Sequence, residues 1–127
     1  GQTTPIGTFR TPFKAAWHPL QGCWGQYCTQ IVGNYLFHSS PYNSPNKNDL
    51  SYRLYNQLGT VCSHGCVRLT VADAKWIYDN CPLGTTVKIY NASSLPVPKP
   101  SAPWLDITSP NRGWDPTDPD PANPWRQ

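Results

Sequence analysis

Neither methionine nor glutamate occurs anywhere in this chain, and all seven of its acidic residues are aspartate. Without Glu, the stretch Asp115-Pro-Thr-Asp118-Pro-Asp120 lacks the bidentate residue that closes a calcium loop. No Cys-x-x-Cys pair is present, nor the paired spacing of a structural zinc site. Neither a metal nor a cofactor is therefore expected. No run of about 18 apolar residues occurs, so no transmembrane helix is expected, and the N-terminus has no basic-then-apolar pattern of a signal peptide. Basic clusters and RNA-reading motifs are also missing, which argues against nucleic acid as a partner.

With 38% hydrophobic residues in 127, the chain has material for one modest core. Residues 1–91 carry seven Lys and Arg against three Asp, whereas 92–127 carry three against four. A mildly basic domain suits an anionic polymer such as a cell wall. Nine of the 15 prolines lie beyond residue 91, among Ser, Asn, Asp and the tryptophans Trp104, Trp114 and Trp125. The division expected is a domain over 1–91 and a Pro/Asp/Trp-rich tail over 92–127. The tail reads as extended and polyproline-like, either solvated or docked through its tryptophans on the parent domain, a second copy or glycan. A monomer is expected, with contacts through the tail.

Within the domain, residues 1–14 read as turn then strand around Ile6, Phe9 and Phe13, and 15–30 as loop. Gln30 to Phe37 is a strand candidate with Gly33-Asn34 as hairpin turn or bulge, which leaves His38 at a strand end. Thr70 and Asp73 make a capping box for a helix over about 70–80, stopped by Pro82. Thr85 to Tyr90 alternates as a closing strand. The fold class is mainly β with one principal helix.

The chemistry gathers in Ser63-His64-Gly65-Cys66-Val67-Arg68-Leu69. A cysteine thiol is mostly protonated at neutral pH, so acyl transfer requires a nearby imidazole, and both His38 and His64 qualify. Gly65 lets the backbone turn sharply enough for adjacent N–H groups to face a developing oxyanion. Against this stands a purely structural Cys–His pair. Five cysteines leave at least one unpaired, and Cys66 is the best candidate for it. Cys23 and Cys28 span a turn-like segment that a disulfide could staple, and Cys62 and Cys81 could pair likewise, both favouring an oxidising compartment. Alternatively, Cys81 is a small buried hydrophobe. Arg68 either holds a substrate carboxylate or pairs with Asp73 or Asp79, while Trp17, Trp24 and Tyr42 line a cleft or pack in the core. His18, beside Pro19, reads as a surface histidine.

The heptapeptide resembles the signature of the L,D-transpeptidase catalytic domain family, in which Ser/Thr-His-Gly-Cys follows an earlier histidine at a strand end. Thr4-Pro5-Ile6-Gly7-Thr8-Phe9 is similar to the family's Thr-Pro-x-Gly-x-Phe segment, and Phe37-His38-Ser39 to its upstream histidine. Asp73 to Asp79 followed by Gly84-Thr85-Thr86-Val87 resembles its helix and closing strand. The resemblance implies a β-sandwich acting on peptidoglycan stem peptides outside the cytoplasm, secreted or wall-associated. It makes Cys66 the nucleophile and His38 the base, with the Ser39 main chain orienting the ring. His64 supports the site, and the N–H groups of Gly65 and Cys66 stabilise the oxyanion; the candidate substrate contacts beside them are Arg68, Ser63, Tyr42 and Trp24. The reaction implied is a 3→3 cross-link through a thioester, with carbapenems as inhibitors.

Two departures accompany the resemblance. The 24 residues between His38 and Ser63 exceed the family's usual spacing, so Pro41 to Leu58 reads as an inserted loop or lid. Family domains also begin with strands upstream of the Thr-Pro segment, on which this chain almost starts, so an N-terminally incomplete version of the fold is expected. Hydrolysis as an L,D-carboxypeptidase is the alternative outcome, and another cysteine peptidase is the nearest enzyme rival. Papain-like and wall-amidase enzymes place cysteine before histidine, however, and no histidine follows Cys66. From another class, the rival is a secreted, disulfide-stapled wall-binding module with a structural Cys66.

Overall fold

The computed structural model describes residues 5–58, 66–91 and 102–126. Its strands form two sheets. β1 (Gly7–Arg10) pairs antiparallel with β6 (Thr86–Ile89). A four-stranded sheet runs in the order β2 (Lys14–Pro19), β3 (Trp24–Val32), β4 (Tyr35–Ser39) and β5 (Val67–Leu69). The first three are antiparallel neighbours and β5 lies parallel to β4, so the chain crosses over between Ser39 and Val67.

Gly33 and Asn34 make the turn of the β3–β4 hairpin, with a register shift between Gln30 and Val32. Of the two readings of Gly33-Asn34 within Gln30 to Phe37, the hairpin turn holds, with the end of β3 before it and β4 after it. Residues 15–30, expected as loop, instead carry most of β2 and β3. Their pattern was illegible for a local reason: Tyr27 adopts a left-handed φ of 52°. This breaks strict alternation, and the buried positions of β3 run Gly25, Gln26, Cys28, Thr29 and Ile31. β2, with two alanines and a terminal proline, has little strand propensity of its own and owes its conformation to pairing with β3.

The crossover contains a short helix, α1 (Tyr52–Tyr55), and packs inward. Tyr42, Leu50 and Tyr55 join Val71 and Leu105 in a buried cluster, with Trp17, Trp24 and Trp125 against its edge. The insertion expected as a loop or lid therefore supplies core. The main helix, α2 (Val71–Asn80), follows β5 directly and packs on β3 and β4. Thr70 caps it, its side-chain oxygen accepting from the Asp73 amide at 3.3 Å. No described helix is long and apolar enough to cross a membrane.

Residues 102–126 lie on the domain as a chain of tight turns. Each of the four aspartates there accepts a hydrogen bond from the amide two residues on: Asp106 from Thr108, Asp115 from Thr117, Asp118 from Asp120, and Asp120 from Ala122, at 2.7–2.9 Å. Such a ring of atoms closes with the short Asp side chain, which gives the tail's all-Asp acidity a physical reason. Three of these aspartates precede a proline, which pre-sets the turn dihedral. Buried Asn123 ties the turns together, donating from Nδ2 to the carbonyls of Asp115 and Asp118.

Candidate active site

β4 and β5 bring the chemistry together by register. His38 is the parallel partner of Arg68, and Cys66 immediately precedes β5. All three line one cavity of about 890 Å³, together with His18, Cys23 and Asn34. The Cys66 thiol donates to the Asn34 carbonyl at 3.2 Å, so the β3–β4 turn holds the sulfur.

His38 is almost wholly buried, at 2% exposure. Its Nδ1 lies 2.5 Å from the Ser39 carbonyl oxygen. A carbonyl only accepts, so Nδ1 carries the proton and Nε2 presents a lone pair. Ser39 is itself anchored, its hydroxyl accepting from the Gln26 amide and donating to the Ser40 carbonyl. Burial above all pushes the imidazole down to about 4, with the Arg68 and His18 charges acting in the same sense and the Ser39 hydrogen bond against it. At neutral pH the ring is a neutral imidazole held in one orientation, with Nε2 able to accept a proton.

That depression has a consequence for stability. The unfolded chain, with an ordinary histidine near 6.5, binds a proton that the folded state refuses down to about 4. Stability contributed by the neutral ring is complete above 6.5 and is lost as pH falls toward 4, at up to about 1.4 kcal/mol per pH unit. Asp115 and Asp118, raised chiefly by burial, act in the opposite sense, because the folded state takes up their protons first as pH falls. Urea melts of parent and His38→Gln proteins between pH 7 and 4 are expected to show their stability difference changing across that window. A constant difference would contradict a buried neutral imidazole.

The other thiols beside the cavity are poor nucleophiles. Burial, with the neighbouring Cys66 adding, pushes Cys28 up to about 12, and burial likewise raises Cys23. Gly25 makes room for this arrangement. A Cβ there would meet the Cys28 sulfur at 2.9 Å and the His38 Cβ at 3.1 Å, so a side chain at 25 would displace the histidine.

Several expected residues are placed elsewhere. Cys23, Cys28 and Cys81 are free thiols. The Cys23–Cys28 staple fails on geometry: the residues between are strand and not turn, and Trp24 to Cys28 alone advances roughly 13 Å, whereas bridged Cα atoms lie within about 7 Å. Cys62 lies outside the described residues, as do Ser63, His64 and Gly65. Tyr42 is fully buried in the core, its backbone paired with Trp24 and Leu50, and neither Tyr42 nor Trp24 is among the described residues lining the cavity. Two isolated bridges join Tyr42 to Trp24 and to Leu50. Conversely, His18 belongs to β2, half-buried, and faces the cavity. Sequence reading missed it and Asn34 as site residues; for Asn34 the Gly33-Asn34 turn was the available signal, and for His18 there was none while β2 read as loop.

Comparison with known proteins identifies the family and the fold. The family model described as YkuD, L,D-transpeptidase catalytic domain, matches residues 1–89. A Bacillus subtilis (strain 168) protein, provisionally named L,D-transpeptidase YciB, is 39% identical over 93 residues, which is 68% of this chain and 46% of that protein. Among solved structures, a fused Zn-dependent amidase/peptidase/peptidoglycan-binding domain-containing protein from Clostridium acetobutylicum is 37% identical, with a TM-score of 0.51 over 70% of this chain and 35% of its own. An L,D-transpeptidase from Stackebrandtia nassauensis shares the fold at 22% identity and a TM-score of 0.54, over 72% of this chain and 40% of its own. The chain thus spans about half the length of the curated relative it matches.

Proposed function

From a chain that belongs to the L,D-transpeptidase catalytic domain family, we infer a cysteine acyltransferase acting on peptidoglycan stem peptides outside the cytoplasm. The observation that carries the reading is that Cys66 and a neutral, carbonyl-oriented His38 line one cavity. In the proposed first step the Cys66 thiol proton passes to His38 Nε2 while sulfur attacks the carbonyl of the third, diamino residue of a tetrapeptide stem. The N–H groups of Gly65 and Cys66 receive the oxyanion, a contact typically worth about 3 kcal/mol. Collapse expels the terminal D-alanine, whose nitrogen takes the proton back from His38, and leaves a thioester. The side-chain amine of a second stem then attacks, restoring the thiol and forming a 3→3 cross-link. Depression of His38 supports this role, since the base must be neutral when the thiol approaches.

Cysteine pairing no longer argues for an extracytoplasmic location, because Cys23 and Cys28 are free. Family membership alone supports that assignment.

The test is intact mass spectrometry during incubation with a stem tetrapeptide, with and without an acceptor stem. A thioester adduct mapping to Cys66, and a cross-linked dimer when acceptor is present, are expected. Tripeptide without dimer would make water the acceptor and the protein a carboxypeptidase. A folded protein that forms no adduct would refute catalysis and favour a wall-binding module.

A further inference from the structure

The four-stranded sheet lays its polar side chains in a row across one face. His18 on β2 pairs with Gly25 on β3, and His38 on β4 pairs with Arg68 on β5, in the order β2-β3-β4-β5. Directly opposed residues present their side chains to the same face. At the β3 position the row has no side chain, and Gly25 lies against His38. The result is a notch between two imidazoles, His18 on one side and His38 on the other, with Arg68 on the next strand beyond His38, and all three line the cavity that holds Cys66. Phe13 steadies the outer wall, its ring meeting His18 edge-on at 5.6 Å between centroids.

The cavity's charge is one-sided. Among the described residues that line it none is acidic, and its remaining polar side chains there include the neutral Gln21, Gln30 and Asn34. Both His18 and Arg68 are close enough to His38 for their charges to disfavour its protonation. An anionic group entering this cavity would find His18 and Arg68 on its walls as donors and no described carboxylate to oppose it, and hydrogen bonds to a charged group are the strong ones.

We propose that His18, at the Gly25 notch and with Arg68 lining the same cavity beyond His38, binds the terminal carboxylate of the donor stem peptide and so sets a preference for stems that end in a free acid. This rests on the stem-peptide reading above. The residue to be expelled carries that carboxylate one residue beyond the attacked carbonyl, so its capture also places the scissile bond over Cys66. His18 is then a specificity residue of the leaving-group side, separate from the Cys66–His38 pair that performs the proposed transfer.

The experiment measures binding without turnover. In Cys66→Ala protein, calorimetry would compare a stem tetrapeptide with the same peptide amidated at its C-terminus, in the His18 parent and in His18→Gln and His18→Lys variants. The parent is expected to bind the acid about tenfold more tightly than the amide, in keeping with a hydrogen bond to a charged group. His18→Gln should lose most of that preference, chiefly through weaker binding of the acid, and His18→Lys should keep it. An acid-to-amide ratio unchanged in His18→Gln would overturn the assignment, as would an equal loss of affinity for both peptides. If neither peptide binds the folded parent, the stem-peptide reading itself fails, a result distinct from loss of acid preference alone.

Discussion

Cys66→Ala is expected to form no adduct with a stem peptide or a carbapenem, and His38→Gln to slow adduct formation by about 10² to 10⁴-fold while leaving the cysteine in place. The two variants separate nucleophile from base. Removing the sulfur removes the only atom proposed to become acylated, whereas removing the imidazole leaves a thiol that must lose its proton to solvent. Cys28 cannot substitute: it is buried, and its thiol is pushed up to about 12. Cys23 is half-buried on the cavity wall, with its thiolate also disfavoured by burial. Stopped-flow mass or thiol-titration rates, with circular dichroism to verify folding, give the comparison. An adduct persisting in Cys66→Ala and mapping to Cys23 would transfer the nucleophile to that residue. A His38→Gln rate within a few-fold of the parent would move the base to another group, His64 first.

The second large effect concerns the C-terminal segment. Deleting residues 102–127 is expected to abolish cooperative folding of the remainder, because the segment completes the core and the start of α2. Leu105 is 1% exposed within the central cluster, and burial of a leucine of this kind is worth about 2–5 kcal/mol against alanine. The first amides of α2 depend on it: Val71 donates to Asp115 Oδ2 at 2.9 Å and Ala72 to Thr117 Oγ1 at 3.1 Å, while Asp73 is served by Thr70. Without the segment two helix-terminal N–H groups lose their acceptors. The crossover loses its anchors too, since the Leu50 amide donates to the Gly113 carbonyl and Asn56 exchanges two hydrogen bonds with Leu105.

Point variants give a graded version of that result. Asp115→Ala should cost about 1–3 kcal/mol by leaving the buried Val71 amide unsatisfied. Gly113→Ala should cost at least as much, because a Cβ there would stand 2.2 Å from the Asn48 carbonyl oxygen, a backbone atom that cannot step aside. The Lys47–Asp120 ion pair, partly exposed at 2.8 Å, should matter least, at about 0–1 kcal/mol. Denaturant melts check all three. A truncated chain that melts cooperatively near the parent's midpoint would show the segment to be dispensable.

Because β5 runs from Cys66 straight into α2, the capping of that helix also reaches the proposed nucleophile. Asp115 and Thr117 hold the helix start, the helix start holds Thr70, and Thr70 ends the strand on which Arg68 faces His38. The proline-rich segment is thereby joined to the site through the backbone and makes no described contact with the cavity.

Motifs governed by local chemistry were legible from the residues themselves. The cysteine motif and the upstream histidine needed only residue identity and order, and together they led to the family. The α2 start was written in Thr70 and Asp73, and its end in Pro82, since a cap needs an oxygen at a fixed offset and proline cannot continue a helix. The Gly33-Asn34 turn was equally local. What tertiary structure decided was every relation that depends on which strands lie side by side. β2 carries little intrinsic strand preference, so nothing in its own residues placed His18 opposite Gly25 or in the cavity of Cys66. A left-handed Tyr27 hid the pattern of β3 and made the span from Cys23 to Cys28 read as a turn that a disulfide could close. The proline-rich segment likewise read as solvated or merely docked because its backbone forms no ladder. Its aspartates satisfy amides two residues away, and one of them reaches across 44 residues to cap a helix, an interaction that only the folded chain brings within range.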